Sequence, residues 1–238
     1  MDVAYTLALA ALFPPLHAGV KWVIDGVEEV PALGPVILAS NHISYLDPLA
    51  LAYVANRRRR RVRFLAKEEL FEKCGLGMIL RGMQQIPVRR GTPDAGGSLD
   101  VAVRDLLKGQ CVGVFPEGTI SPDLEPMPGK SGTARLAAAS GIPVTPIGLW
   151  GLHRVMSKGR KPEWRWRAPE IAVIGKAVLI ETNEDIHEAT DRIMEAICGC
   201  VRRAREIFQK EVVQDDGCWW VRPAETAVLR TSRPDERP

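Results

Sequence analysis

Six short apolar runs, with helix-compatible stretches between them, constrain this chain more than any other feature. The runs are Pro35–Ser40, Val62–Leu65, Gln85–Val88, Cys111–Phe115, Pro143–Leu149 and Ile171–Ile174. Runs of this length, bounded by glycine and polar residues, read as strands. The first, PVILAS between Gly34 and Asn41, shows no polar alternation, as expected of a strand covered on both faces. Pro48–Val54, Lys67–Leu80, Pro93–Leu107 and Ser131–Ala139 are helix-compatible, the last stopped by Gly141 at a C-cap position. Such alternation predicts an α/β fold, a layered central β-sheet flanked by helices.

From Ile186 to Phe208, apolar residues recur at Ile186, Ala189, Ile193, Ile197, Val201, Ala204 and Phe208, the spacing of one helix face. A long C-terminal packing helix is expected there. After about Gln214 the chain is polar and proline-dotted apart from Trp219 and Trp220, so residues 214–238 are expected to form a flexible tail. The 238 residues fit one domain, over 20–213, and an apolar content of 46% is enough for a sizeable core.

At the other end, Val3–Phe13 is apolar and runs into Pro14 and Pro15. It lacks the basic leader of a signal peptide, and it is about half the roughly 20 residues a membrane span needs. The prolines are expected to interrupt it. Residues 1–19 are therefore read as an N-terminal amphipathic helix, either lying in a membrane interface or closing one side of the core.

The net charge of +3 is small, but Arg57, Arg58, Arg59, Arg60, Arg61 and Arg63 crowd into one stretch. Such a run is either a solvated helix end or a patch for anionic lipid or coenzyme A phosphates. No zinc-finger spacing or RNA-binding signature accompanies it, which disfavours nucleic acid. The five cysteines show no CxxC pair, which points to reduced thiols in the cytosol. His17, His42, His153 and His187 are dispersed, so no metal site is expected.

Chemistry is expected where the strands end. In Asn41-His42-Ile43-Ser44-Tyr45-Leu46-Asp47, five residues separate an imidazole from a carboxylate that can fold back onto it. A carboxylate on one ring nitrogen fixes the tautomer and leaves the other nitrogen as a base. By itself the pair could equally be structural. Phe115-Pro116-Glu117-Gly118-Thr119-Ile120-Ser121 offers a glycine turn whose amides and Thr119 hydroxyl can approach an anion, or else an ordinary turn. Ile86-Pro87-Val88-Arg89-Arg90 sets two guanidinium groups beyond a strand, where they suit phosphate. Gly141–Ile147 reads as a pocket wall. A covalent route through Cys74 or Cys111 carries less weight, since neither has a histidine beside it in sequence.

Together NHISYLD, IPVRR, FPEGTIS and IPVTPI, in this order and spacing, resemble the four motifs of the glycerolipid acyltransferases, the PlsC-type lysophosphatidic acid acyltransferase family. The resemblance implies a glycerol-3-phosphate (1)-acyltransferase-like domain over roughly residues 20–210. It implies that a fatty acyl group passes to the free hydroxyl of a lysophospholipid. The acceptor that fits best is 1-acyl-sn-glycerol 3-phosphate, ahead of glycerol 3-phosphate or another lysolipid. The implied donor is acyl-CoA or an acyl carrier protein thioester, a co-substrate with no bound cofactor. The implied place is the cytoplasmic face of the cell membrane, peripheral or monotopic, against an anionic surface. Carried over by position, His42 is the general base and Asp47 its partner. Arg90, with Arg89 as its substitute, and the Glu117-Gly118-Thr119 turn bind the acceptor. The family usually has arginine where this chain has Ile120; Lys67 and Lys130 are then the candidates to restore positive charge, unless the acceptor head group differs.

Overall fold

The computed structural model describes residues 3–88 and 95–211. In chain order the elements are α1 (Val3–Gly19), β1 (Val20–Asp25), β2 (Val36–Ser40), α2 (Asp47–Asn56), β3 (Val62–Lys67), α3 (Leu76–Gly82), β4 (Ile86–Val88), α4 (Ala95–Leu107), β5 (Cys111–Val114), α5 (Gly132–Ser140), β6 (Val144–Trp150), β7 (Ala168–Ile174) and α6 (Ile186–Glu211). Arg89, Arg90, Trp219 and Trp220 lie outside the described residues.

One seven-stranded sheet runs in the order β1-β7-β6-β2-β5-β3-β4. Strands β6, β2, β5, β3 and β4 are mutually parallel; β7 is antiparallel to β6, and β1 is parallel to β7. The α/β layering matches the sequence expectation. Successive residues of β2 alternate between two cores: Val36 and Leu38 face α2, whereas Ile37 and Ala39 face the α4, α5 and α6 side. Burial on both faces explains why this strand is apolar from Val36 to Ala39. Helix α6 lies so close to the sheet that a Cβ on Gly148 would sit 2.4 Å from the Cys200 carbonyl carbon, so only glycine admits the helix there.

Three elements differ from expectation. Strand β1 was not foreseen. The segment expected as one helix over Lys67–Leu80 divides into the end of β3, a 3-10 turn at Glu68–Leu70 and the short α3, separated near Gly75 at φ +75°. Helix α1 passes through Pro14 and Pro15 to Gly19 instead of stopping. The carbonyls that lose donors to these prolines belong to Ala10 and Ala11, both exposed, and the next turn is clamped from the side. Trp22 stacks on Tyr53 at 4.1 Å, Phe13 meets the same ring edge-on at 5.5 Å, and His17 Nδ1 lies 2.5 Å from the Tyr53 hydroxyl. Helix α1 is also less two-faced than expected: it has no charged side chain, and Leu7 and Leu12 are exposed. No helix among the described residues is long and apolar enough to cross a membrane.

Candidate active site

Strand β2 ends at Ser40, and its neighbours on both sides are parallel, so the chain emerges at the carboxyl edge of the sheet, where α/β folds place their ligand sites. Asn41 turns the chain there. Its side-chain amide donates to the Leu149 carbonyl at 3.0 Å and its oxygen accepts the Leu149 N–H at 2.8 Å, so it extends the ladder on to β6. The next residue, His42, is thereby held off the strand.

The imidazole is fixed from three directions. His42 Nδ1 lies 2.9 Å from Asp47 Oδ2, which also accepts the N–H groups of Ile43 at 2.6 Å and Ser44 at 2.7 Å. An oxygen surrounded by donors takes another donor at Nδ1, so the ring proton resides on Nδ1 and the lone pair on Nε2. Among the described residues, Nε2 has no hydrogen-bond partner. Asp47 is buried at the first turn of α2, where the helix dipole favours a carboxylate, while the His42 side chain keeps 16% of its surface open. The Phe115 ring stacks on the imidazole at 4.3 Å, a placement that also suits an imidazolium.

The backbone of His42 is held by the Phe115–Ser121 loop. Its N–H donates to Glu117 Oε1 at 2.9 Å, and its carbonyl accepts the Ser121 N–H at 2.8 Å. The other carboxylate oxygen of Glu117 accepts the Met127 N–H at 3.2 Å. Glu117 is fully buried, and both its oxygens face backbone amides, so the structure gives it the work of a strut under His42. The expectation from sequence was an acceptor-binding carboxylate; in the structure its two oxygens accept from the His42 and Met127 amides.

The other expected residues are placed as follows. Gly118 turns at φ +71° with the Lys130 side chain over it: a Cβ would meet Lys130 Cε at 3.1 Å. Lys130 is exposed, so an ammonium group lies against the Gly118-Thr119 turn. Lys67 ends β3 at the same sheet edge, exposed and 3.0 Å from Glu69. Arg89 and Arg90 follow β4 and fall outside the described residues. Ile120 is buried, so the side chain at the position where the family resemblance expects arginine is part of the core.

Cys111 is buried in β5, and burial pushes its thiol up to about 12, which removes it as a nucleophile near neutral pH. The arginine run precedes β3 and so lies at the opposite sheet edge from His42, about 20 Å away along a six-residue strand. Much of it is spent on structure. Arg60 donates to the carbonyls of Pro31, Gly34 and Gly109, Arg58 to Val30, and Arg63 to Asp105. A phosphate patch beside the site is thereby excluded for these residues.

Comparison with known proteins bears on this arrangement. The family model described as Acyltransferase matches residues 21–150, more than half of the chain. The chain belongs to this acyltransferase family. The matched region spans β1 through β6 and so contains His42, Asp47, the Phe115–Ser121 loop and Lys67. Among relatives, the 1-acyl-sn-glycerol-3-phosphate acyltransferase BAT2 of Brassica napus chloroplasts is 33% identical over 138 residues, 57% of this chain and 39% of that protein. A lyso-ornithine lipid O-acyltransferase of Rhizobium meliloti is 28% identical over 180 residues, 68% of this chain and 60% of that protein. The chain thus spans well under the full length of both. The crystal structure of the 1-acyl-sn-glycerophosphate (LPA) acyltransferase PlsC from Thermotoga maritima superposes with a TM-score of 0.61 at 27% identity, covering 90% of this chain and 80% of that one.

Some residues that hold the His42–Asp47 turn escaped sequence reasoning. Asn41 and Ser44 lie inside the first motif, but their roles need β6 and the segment after it: the Ser44 hydroxyl donates to the Met156 carbonyl at 2.6 Å and accepts the Leu46 N–H at 3.0 Å. Glu170 of β7 is wholly buried; its Oε2 accepts the Leu152 N–H at 2.6 Å and its Oε1 has no hydrogen-bond partner among the described residues. Burial first, then the charge of Asp47, holds its carboxyl well above the usual range. This proton-retaining carboxyl lies behind the His42–Asp47 turn. An acidic residue near the start of a strand gives no sequence signal of this.

Proposed function

We propose that this chain transfers a fatty acyl group from an acyl thioester to the free hydroxyl of a lysophospholipid. The acceptor we assign is 1-acyl-sn-glycerol 3-phosphate, which gives phosphatidic acid, and the donor is acyl-CoA. The observation that carries this reading is His42, with Nδ1 on Asp47 and Nε2 open at the carboxyl edge of the sheet. The names of the Brassica and Thermotoga proteins support the acceptor.

In the proposed mechanism Nε2 takes the proton of the acceptor hydroxyl as its oxygen attacks the thioester carbonyl carbon. Asp47 steadies the imidazolium that forms, and the Phe115 face lies along the same ring. When the tetrahedral intermediate collapses, the carbon–sulfur bond breaks and Nε2–H returns the proton to the departing thiolate. No acyl-enzyme is needed. Lys130 and Lys67 supply positive charge toward the acceptor phosphate, assigned through their place on the sheet edge, and the amides of Gly118 and Thr119 are the accompanying donors. Arg89 and Arg90 keep the phosphate-binding role that the motif resemblance implies.

A membrane-borne acceptor places the chain at a bilayer surface, on the cytoplasmic face in this reading. Helix α1 exposes Leu7 and Leu12, and the adjoining α3 exposes Met78 and Ile79, which supports attachment without a span. The Rhizobium relative's name favours a second reading, in which a lysolipid without a simple phosphate is the acceptor. The core position of Ile120 accords with that alternative.

A radiolabelled acyl-CoA assay against a panel of lysolipids tests both readings. His42→Ala is expected to lower turnover by about two to four decades in folded protein. Near-normal transfer by that variant would remove the imidazole from the mechanism.

A further inference from the structure

The segment between the 3-10 turn Leu152–Arg154 and β7 reads Ser157-Lys158-Gly159-Arg160-Lys161-Pro162-Glu163-Trp164-Arg165-Trp166-Arg167. The Glu163 N–H donates to the Val155 carbonyl at 2.9 Å, and residues 158–164, 166 and 167 are exposed. Trp164 and Trp166 are 81% and 78% exposed. Lys158, Arg160, Lys161, Arg165 and Arg167 surround them with a single acid, Glu163, which pairs with Arg165 at 2.5 Å. Holding two indoles in water contributes nothing to folding. Indole rings flanked by cations favour the boundary between lipid head groups and acyl chains.

The position of the loop matters as much as its composition. Because β6 is parallel to β2 and β7 is antiparallel to β6, the loop joining β6 to β7 lies at the same sheet edge as His42. At its root, the Met156 carbonyl accepts the Tyr45 N–H at 3.3 Å and the Ser44 hydroxyl at 2.6 Å, both from the turn between His42 and Asp47. At its far end, Ala168 pairs with Val20, which follows directly on the apolar helix α1. The loop is therefore continuous with α1 on one side and bonded to the catalytic turn on the other.

We propose that the 157–167 loop is a membrane-contact element that sets Trp164 and Trp166 into an anionic lipid surface and so holds the His42 site against the bilayer. Charge complementarity selects the occupant: cations outnumber acids by four along the loop, and anionic head groups attract such clusters. The proposal rests on the lipid-acceptor reading above and deepens it by naming the face that meets the lipid.

Flotation of the full chain tests it, with vesicles of phosphatidylcholine alone and of equimolar phosphatidylcholine and phosphatidylglycerol. The variants are Trp164→Ala with Trp166→Ala, and Lys158→Gln with Lys161→Gln. The tryptophan pair is expected to lower partitioning on to the mixed vesicles by roughly tenfold. The lysine pair is expected to lower it by roughly thirtyfold at low salt and to leave phosphatidylcholine binding unchanged. Wild-type flotation by both variants overturns the proposal, as does a change in self-association of the free protein in its place.

Acyl transfer separates this inference from the function it rests on. Both variants should match wild type with a detergent-dispersed acceptor and fall behind only when the acceptor is embedded in vesicles; equal loss in both formats overturns the docking role. If the wild-type chain transfers no acyl group in either format, the acyltransferase reading fails, and flotation still judges the loop alone.

Discussion

Glu117→Gln distinguishes two roles that the same residue could play in an acyltransferase site. The wild-type side chain is fully buried, and its two oxygens accept from the His42 N–H at 2.9 Å and the Met127 N–H at 3.2 Å. Glutamine keeps the shape but replaces one acceptor with an NH2 group that must face an N–H, and it removes the charge that strengthens the remaining bond. Hydrogen bonds to charged groups contribute about 1.5–3 kcal/mol each, and a buried unpaired donor costs about 1–3 kcal/mol. A destabilisation of about 3 kcal/mol follows, or roughly 6–12 °C in Tm for a domain of this size.

The catalytic consequence runs through the backbone of His42. With its N–H released and only the Ser121 bond left on the peptide, the imidazole is free to drift from its place beside Asp47. A misplacement of about 1 Å costs on the order of 100-fold in turnover. The expected pattern is a lower Tm and a lower kcat with little change in KM for the acceptor, measured by thermal denaturation and steady-state transfer. An unaltered Tm and kcat with a raised acceptor KM would refute the strut and return Glu117 to substrate binding.

Three further substitutions probe the same neighbourhood. Asp47→Asn should lower kcat by about 100-fold to 10,000-fold while KM stays near wild type, because Nδ1 and two amides lose a shared charged acceptor; a kcat within about threefold of wild type would contradict this. Gly118→Ala should cost about 1–2 kcal/mol in urea denaturation, since φ +71° strains an L residue and the new Cβ meets Lys130 at 3.1 Å, so full stability would rule out the turn as drawn. Glu170→Gln tests the buried acid through pH. Folded Glu170 retains a proton that the unfolded chain sheds above its ordinary value, so this residue's contribution to stability is complete at low pH. Its contribution then declines by about 1.4 kcal/mol per pH unit as pH rises toward the folded value. Glutamine does not titrate, and the Tm of the variant relative to wild type should climb as pH rises above the ordinary carboxylate range; a constant difference would count against a raised Glu170 carboxyl.

How much of this was legible in the sequence depended on whether the cause was local. PVILAS could be read as a strand because both its faces are covered and so no polar residue interrupts it. β1, with Lys21 and Asp25 in VKWVID, sits at a sheet edge with β7 as its sole strand neighbour, and its mixed composition hid it. The double proline suggested an interruption, but the local rule gave way to tertiary packing of Phe13, His17 and Trp22 about Tyr53. The approach of His42 to Asp47 was foreseeable across five residues. The bond from His42 to Glu117 spans 75 residues, and from sequence a glutamate beside a glycine turn looks like part of an anion site.

The direction of the strands accounts for the remaining successes and failures. Because β2, β3, β4, β5 and β6 run the same way, the His42 turn, Lys67, Val88 at the end of β4, the Phe115–Ser121 loop and the loop carrying Trp164 and Trp166 lie at one edge. Strands β7 and β1 run the other way, so their beginnings, and with them the end of α1, reach that edge too. The arginine run has the densest positive charge in the sequence, yet it precedes a parallel strand and is carried to the opposite edge, where backbone carbonyls and Asp105 absorb much of it. Charge density along a chain therefore says little about where a phosphate or a membrane will meet the fold. A cation belongs with His42 when it follows a parallel strand or precedes an antiparallel one, and by that criterion Lys67 and the cations beside Trp164 and Trp166 share the His42 edge.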